Sequence, residues 1–263
     1  MLRFLNRPNL PENDVKLLII GEIYAEKLQL SRFGIHVLTI PADPELEGPV
    51  QAHADMQAVH LYTDHFLFSP NSYCKVHLLY NRNLQFLNDN ACKAERLYMQ
   101  TVQGSTHKLG KYPESASYNV LILGDRAFYN PVCIDKTLEK LIKEHYSYIS
   151  VRQGYARCAC CIVRENAVIT SDEGMKKALE SCRIDVLHIC PGFIDLPGYE
   201  FGFIGGASFK IGKEKLAFTG VLDHHPDKDR ILGFLDKYDV QPIYLTGEPI
   251  FDIGSAVPVL ETV

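Results

Sequence analysis

His53 and Asp55 stand two residues apart in the stretch QAHADMQAVH, residues 51–60. An imidazole titrates near neutral pH, and a carboxylate beside it can orient the ring or balance its charge. Such a pair suits general acid–base work or a polar clamp on a ligand. Read as an extended strand, the stretch alternates its side chains and points His53 and Asp55 to one face. A histidine hydrogen-bonded within the core is the competing structural reading. Cys158, in RCACC at 157–161, is a candidate nucleophile. A thiolate attacks an electrophilic carbon when nearby positive charge lowers its pKa, and Arg157 is adjacent. Neighbours along a strand face apart, however, and a small thiol in a crowded strand is the structural alternative. Cys160 shares the expected face of Cys158, but two thiols do not complete a metal site. The eight cysteines match no paired C-x-x-C spacing. No metal and no cofactor are expected.

A second set of candidates is acidic. Glu22, Asp125, Asp172 and Asp223 each follow closely on an apolar β-type run. If those loops open on one mouth, a ring of carboxylates would attract a small cation such as a guanidinium, amidine or amine. An acid between strand and helix is equally an ordinary helix N-cap or first-turn residue.

The elements that must position these side chains recur along the chain. Segments KLLIIGE, DHFLFSP, NVLILGD, NAVITSD and KLAFTGVLD start at residues 16, 64, 119, 166 and 215. Starts roughly 50 residues apart mark a repeat architecture. A helical pattern follows the strand, clearest at 135–146, 173–182 and 226–238, where apolar residues recur three and four apart. The helix of the second copy is poorly defined. A second β-rich run comes next, then a small-residue strand: AHADMQAVHL (52–61), GYARCACCIV (154–163), GFIGGASFKI (202–211) and DIGSAVPVL (252–260), with YPESASYNV (112–120) in the second copy. Turns at 162–170 and 210–218 read as hairpins. Small residues at one recurring position imply strands converging on a common axis. The expected fold is α/β: five ββαβ-like repeats around a pseudo-fivefold axis, in one domain over 1–263 with residues 1–15 as an N-terminal extension.

Composition narrows the function classes. The net charge is −5, with no run of lysines and arginines, which disfavours a nucleic-acid surface. The longest apolar runs are strand-sized, too short to cross a bilayer, and no apolar leader opens the chain. A soluble cytoplasmic protein with reduced thiols is expected, without a nucleic-acid or membrane partner. Homo-oligomerisation is left open.

The repeats, with VITSD (168–172) and GFIGGAS (202–208), resemble the pentein fold of the guanidino-group-modifying enzymes. That superfamily includes arginine deiminase, agmatine deiminase, dimethylarginine dimethylaminohydrolase and the amidinotransferases. The resemblance covers roughly residues 16 to 261 and implies a pentein-type α/β propeller, in a bacterial branch apart from the named enzymes. HAD at 53–55 looks like the H-x-D signature, although here it falls in the first repeat. VITSD looks like the strand ending in a guanidinium-binding aspartate, which would be Asp172. FIGGA at 203–207 looks like the E-G-G-D stretch, with Ile204 and Ala207 where the acids would be. The last repeat, DIGSAVPVLE, lacks the G-x-x-H-C stretch that carries the catalytic cysteine. GYARC at 154–158 has that shape in the third repeat, with Arg157 for the histidine. The resemblance implies a central pocket for a small polar, cationic ligand and a C–N hydrolase or amidinotransferase-like reaction. Cys158 would be nucleophile, His53 proton donor, and Asp55 and Asp172 holders of the cation. The alternative is a non-catalytic pentein that serves as a binding or scaffold protein.

Overall fold

The computed structural model describes residues 1–73, 76, 97, 99–106 and 109–263. Its strands form five small sheets. One sheet joins both ends of the chain: β1 (Leu2–Phe4), β2 (Val15–Gly21), β3 (His36–Ile40) and β16 (Val257–Thr262), in the order β1-β16-β2-β3. The others take consecutive strands: β4 (Ala58–Tyr62), β5 (His65–Phe68) and β6 (Gln100–Gln103); β7 (Leu121–Leu123), β8 (Arg126–Tyr129) and β9 (Ser147–Ser150); β10 (Cys160–Arg164), β11 (Ala167–Thr170) and β12 (Asp185–His188); β13 (Ser208–Gly212), β14 (Lys215–Phe218) and β15 (Gln241–Tyr244). Every sheet has the same plan: an antiparallel pair, a crossover, and a third strand parallel to the second.

Helices make four of the crossovers: α1 (Glu22–Leu28), α2 (Lys136–His145), α3 (Glu173–Ser181) and α4 (Lys228–Lys237). Their ends follow the sequence signals. Asp135 and Asp172 cap α2 and α3 by accepting from the amides of Leu138 and Met175. Inward residues four apart, Leu138 with Ile142 and Met175 with Leu179, are buried against the sheets. The crossover between β5 and β6, where the sequence gives only a poorly defined helix, lies largely outside the described residues. Among the described residues no helix is long and apolar enough to cross a membrane.

Adjacent units bury their apolar faces on each other. One cluster joins Cys161, Val163 and Ile169 of the third unit to Leu216, Phe218 and Leu235 of the fourth. Another joins Leu121 and Phe128 of the second to Ile162, Val168 and Met175 of the third.

Two sequence expectations are corrected. NVLILGD is not the central strand of its copy. Gly124, at φ 64, and Asp125 form a two-residue hairpin turn, so 121–123 is the first hairpin strand and Arg126–Tyr129 the central one. The repeat therefore starts one strand later than its apolar run suggests. The small-residue segments are also not strands throughout. Ala54–Met56 and Glu114–Ala116 are 3-10 turns, and pairing begins only at Ala58, Leu121, Cys160, Ser208 and Val257. His53 and Asp55 thus owe nothing to strand alternation.

At the axis these turns bond to one another in a closed circuit. Asp55 N donates to Gly254 O at 3.1 Å. Asn119 Nδ2 donates to Asp55 O at 3.4 Å. Arg157 N and Cys158 N donate to Asn119 Oδ1 at 2.8 and 3.2 Å. Gly206 N donates to Cys158 O at 3.0 Å, and Ser255 N to Gly206 O at 2.7 Å. Each unit donates to the one before it, and the first donates to the fifth. The small residues fit this hub because side chains there have no room. A Cβ on Gly205 would lie 2.3 Å from Cys160 O.

Asn119 closes two links of the circuit with its side chain. Asn119→Ala leaves two buried amides and a carbonyl unpaired, and should lower stability by about 2–4 kcal/mol. Urea unfolding at an unchanged m-value is the check, and a change below about 1 kcal/mol would show that this link carries no load.

Candidate active site at the hub

Five residues before the start of each hairpin pairing, the four units other than the second place His53, Tyr155, Phe203 and Asp252. These four line one cavity of about 210 Å³ together with Cys158. Val50, Met56 and Leu196 add aliphatic wall, and Tyr199 and Phe201 add further rings. The site is thus built by one hub position repeated around the axis.

Cys158 is buried, and its thiol donates to Asp55 Oδ2 at 2.8 Å. Asn119 Nδ2 donates to the same sulfur at 3.1 Å. Burial, followed by the carboxylates of Asp55 and Asp252, pushes the Cys158 pKa well above the ordinary thiol value, so Cys158 is held as a thiol. Burial also raises Asp55, to about 7, against the opposing pull of the Cys158 hydrogen bond. His53 is pushed down by burial, with Asp252 opposing, and its ring is neutral near pH 7. Its Nδ1 lies 3.9 Å from Asp252 Oδ1. Its Nε2 is buried without a hydrogen-bond partner, as is Asp55 Oδ1. Asp252 is held by the amides of Phe203 and Gly254, each at 2.8 Å. Gly206 leaves room for it: a Cβ there would lie 2.0 Å from Asp252 Oδ1.

Arg157 turns away from this cavity. Its guanidinium donates to Cys160 O, Gly205 O and Ser255 Oγ, at 3.1, 3.3 and 2.6 Å. It borders, with Asp55 and His60, a void of only about 20 Å³ elsewhere in the hub. The adjacent positive charge expected to activate Cys158 is therefore committed to carbonyls and a hydroxyl.

The sequence candidates divide. His53 and Cys158 line the cavity, and Asp55 contacts it through the Cys158 thiol. None of Glu22, Asp125, Asp172 and Asp223 lines it. Asp125 sits in the β7–β8 turn, at the opposite end of its central strand from the other three. Asp172 is the cap of α3 and also accepts from Gln153 Nε2 at 2.7 Å. Asp223 is exposed and pairs with Lys228 at 2.6 Å, and Glu22 is an exposed first-turn residue of α1. Glu22 and Asp172 serve helix starts, Asp125 a hairpin turn and Asp223 an exposed ion pair. Sequence reasoning missed Asp252, Asn119 and the aromatic wall. Aligning the hub turns column by column would have found Asp252 opposite His53.

Asp55 gives stability a pH signature. In the unfolded chain it ionises near pH 4, but folded only near pH 7, so between these values the folded state holds the extra proton. Its contribution is complete below pH ~4 and is lost as pH rises through about 7. Asp55→Asn should therefore gain stability relative to the unmodified chain from pH 4 to 8, by roughly 1.4 kcal/mol per unit at most. A flat difference between the two urea-stability curves would refute this.

A family model described as a family of unknown function, DUF6873, matches residues 21–257. No curated protein matches the chain. Among solved structures it is similar to SxtG, an amidinotransferase from Microseira wollei in the saxitoxin biosynthetic pathway, with a TM-score of 0.55, 10% identity and 98% of each chain covered. The inosamine-phosphate amidinotransferase of Streptomyces griseus gives 0.55 at 12% identity, over 99% of this chain and 98% of that one. The substrate-bound agmatine deiminase of C. jejuni gives 0.53 at 10% identity, over 98% and 96%. These neighbours have the pentein fold, and the five units here form the same α/β propeller.

Proposed function

We propose that this chain, which belongs to the DUF6873 family of unknown function, takes a small guanidinium or amidinium compound into its hub cavity and cleaves a C–N bond with Cys158 as nucleophile. The observation that carries the reading is that Cys158, His53 and Asp252 line one cavity. A cationic ligand there would sit against Asp252, with Asp55 just behind the sulfur. Its charge would offset both carboxylates, which are the causes besides burial that hold the thiol protonated. The Cys158 sulfur attacks the central carbon of the ligand. The thiol proton, already donated toward Asp55 Oδ2, is relayed through the free Nε2 of neutral His53 to the departing amine as its C–N bond breaks. The amidino group is left on sulfur as a thiouronium. Water, or a second amine, then takes that carbon and restores the thiol. Asp172, Asp125, Glu22 and Asp223 have no part in this scheme.

A second reading is favoured by one observation. The thiol is pushed up by burial and two acids, the reverse of an activated cysteine. On that reading the cavity binds the cation without chemistry.

The two separate on covalent labelling. With 2-chloroacetamidine, the catalytic reading expects rapid modification at one residue, Cys158, and none in Cys158→Ala. Cys158→Ser should lower release of amine or ammonia from a cleaved guanidine at least ~1000-fold. Slow, uniform labelling across the cysteines, with ligand binding retained, would leave only the binding reading.

A further inference from the structure

The geometry points, on the reading just proposed, to a ligand whose guanidine or amidine carries an apolar, uncharged substituent, with Phe203, Tyr155 and Tyr199 selecting it. The cavity has two chemically distinct parts. The acids lie with His53 and Cys158 at the hub, where His53 Nε2 is buried without a partner. The remaining wall is aromatic and aliphatic.

That wall comes largely from the segment between β12 and β13. It brings Leu196, Tyr199, Phe201 and Phe203 over the cavity. Gly202 N donates to Ile194 O at 2.8 Å, which folds the segment back on itself. Tyr199 Oη donates to Glu47 Oε2 at 2.6 Å, which fastens it to the first unit. The rings of Tyr155 and Phe203 lie 6.4 Å apart, within the range of packed aromatic pairs. Such faces desolvate an apolar substituent, while the cationic head is left to the acids at the hub.

An α-amino acid would fare badly here. Among the described residues lining the cavity there is no lysine or arginine to meet a carboxylate. Its charge would be buried unpaired against rings, in the field of Asp252. Size permits the apolar alternative. A dry cavity of about 150 Å³ accepts benzene, and this one holds about 210 Å³. A benzyl or similar group with its cationic head toward Asp252 therefore has room.

The test is calorimetric titration of the full chain with N-benzylguanidine, L-arginine and guanidinium ion. N-benzylguanidine should bind at least about tenfold more tightly than either of the others. Phe203→Leu should weaken N-benzylguanidine about fivefold or more and guanidinium ion less than about twofold. The ring is lost there while the Phe203 amide that holds Asp252 stays. L-arginine binding as tightly or more tightly overturns the proposal, as do equal losses for both ligands in Phe203→Leu. Binding by none of the three overturns it as well. Turnover separates the two readings. N-benzylguanidine bound but never cleaved sinks the catalytic step and leaves the ligand class standing. L-arginine preferred and cleaved sinks the ligand class and leaves the catalytic step.

Discussion

The circuit of backbone and amide hydrogen bonds at the hub is the constraint from which the rest follows. Five turns converge on one axis, and their polar groups cannot all reach water. Each turn satisfies its inner amide on the preceding turn, so the circuit is complete only when five units are present. Convergence forces small residues at the narrowest positions, where glycines sit against backbone of the neighbouring unit. Beside that narrow part, His53, Tyr155, Phe203 and Asp252, one from each of four units, line the cavity.

Hub electrostatics follow from the same crowding. Charges here are held by short-range partners. Asp252 is gripped by two amides, and Arg157 by two carbonyls and a hydroxyl. Asp55 has a thiol on one oxygen and nothing on the other. Two acids and a neutral histidine therefore face or back one cavity, while the Arg157 guanidinium is spent on carbonyls and a hydroxyl.

The sequence made the architecture readable because the repeat is physical. A strand, a crossover and a small-residue turn must recur if five equivalent units share one axis. It misled where a local pattern imitated a different element. NVLILGD is as apolar as any central strand, yet its Gly-Asp pair is a hairpin turn, which tells more than the hydrophobic run before it. The His-x-Asp spacing suggested strand alternation, while His53 in fact precedes a 3-10 turn that holds Asp55. The grouping of His53, Asp55 and Cys158 was nonetheless legible, because all three occupy the same recurring segment. Asp252 belongs to that segment too, but an acid in a glycine-rich stretch carries no mark of its own. Only the column it shares with His53 identifies it. The four acids after apolar runs were ambiguous from the start, since helix caps and cation sites use the same residue type. Capping by Asp172 and the exposed pairing of Asp223 show which demand won.

The sheet shared by β2 and β16 has a consequence for the order of assembly. Its pairing joins residues 15–19 to residues 257–261, nearly the whole chain apart. Closing so long a loop comes late on entropic grounds, after the hairpins of the other units have formed locally. His53 follows β3 and Asp252 precedes β16, so the same pairing brings them together. The histidine and its acid therefore become neighbours only once this seam has closed, so a partly folded chain, however rich in native hairpins, lacks the finished cavity.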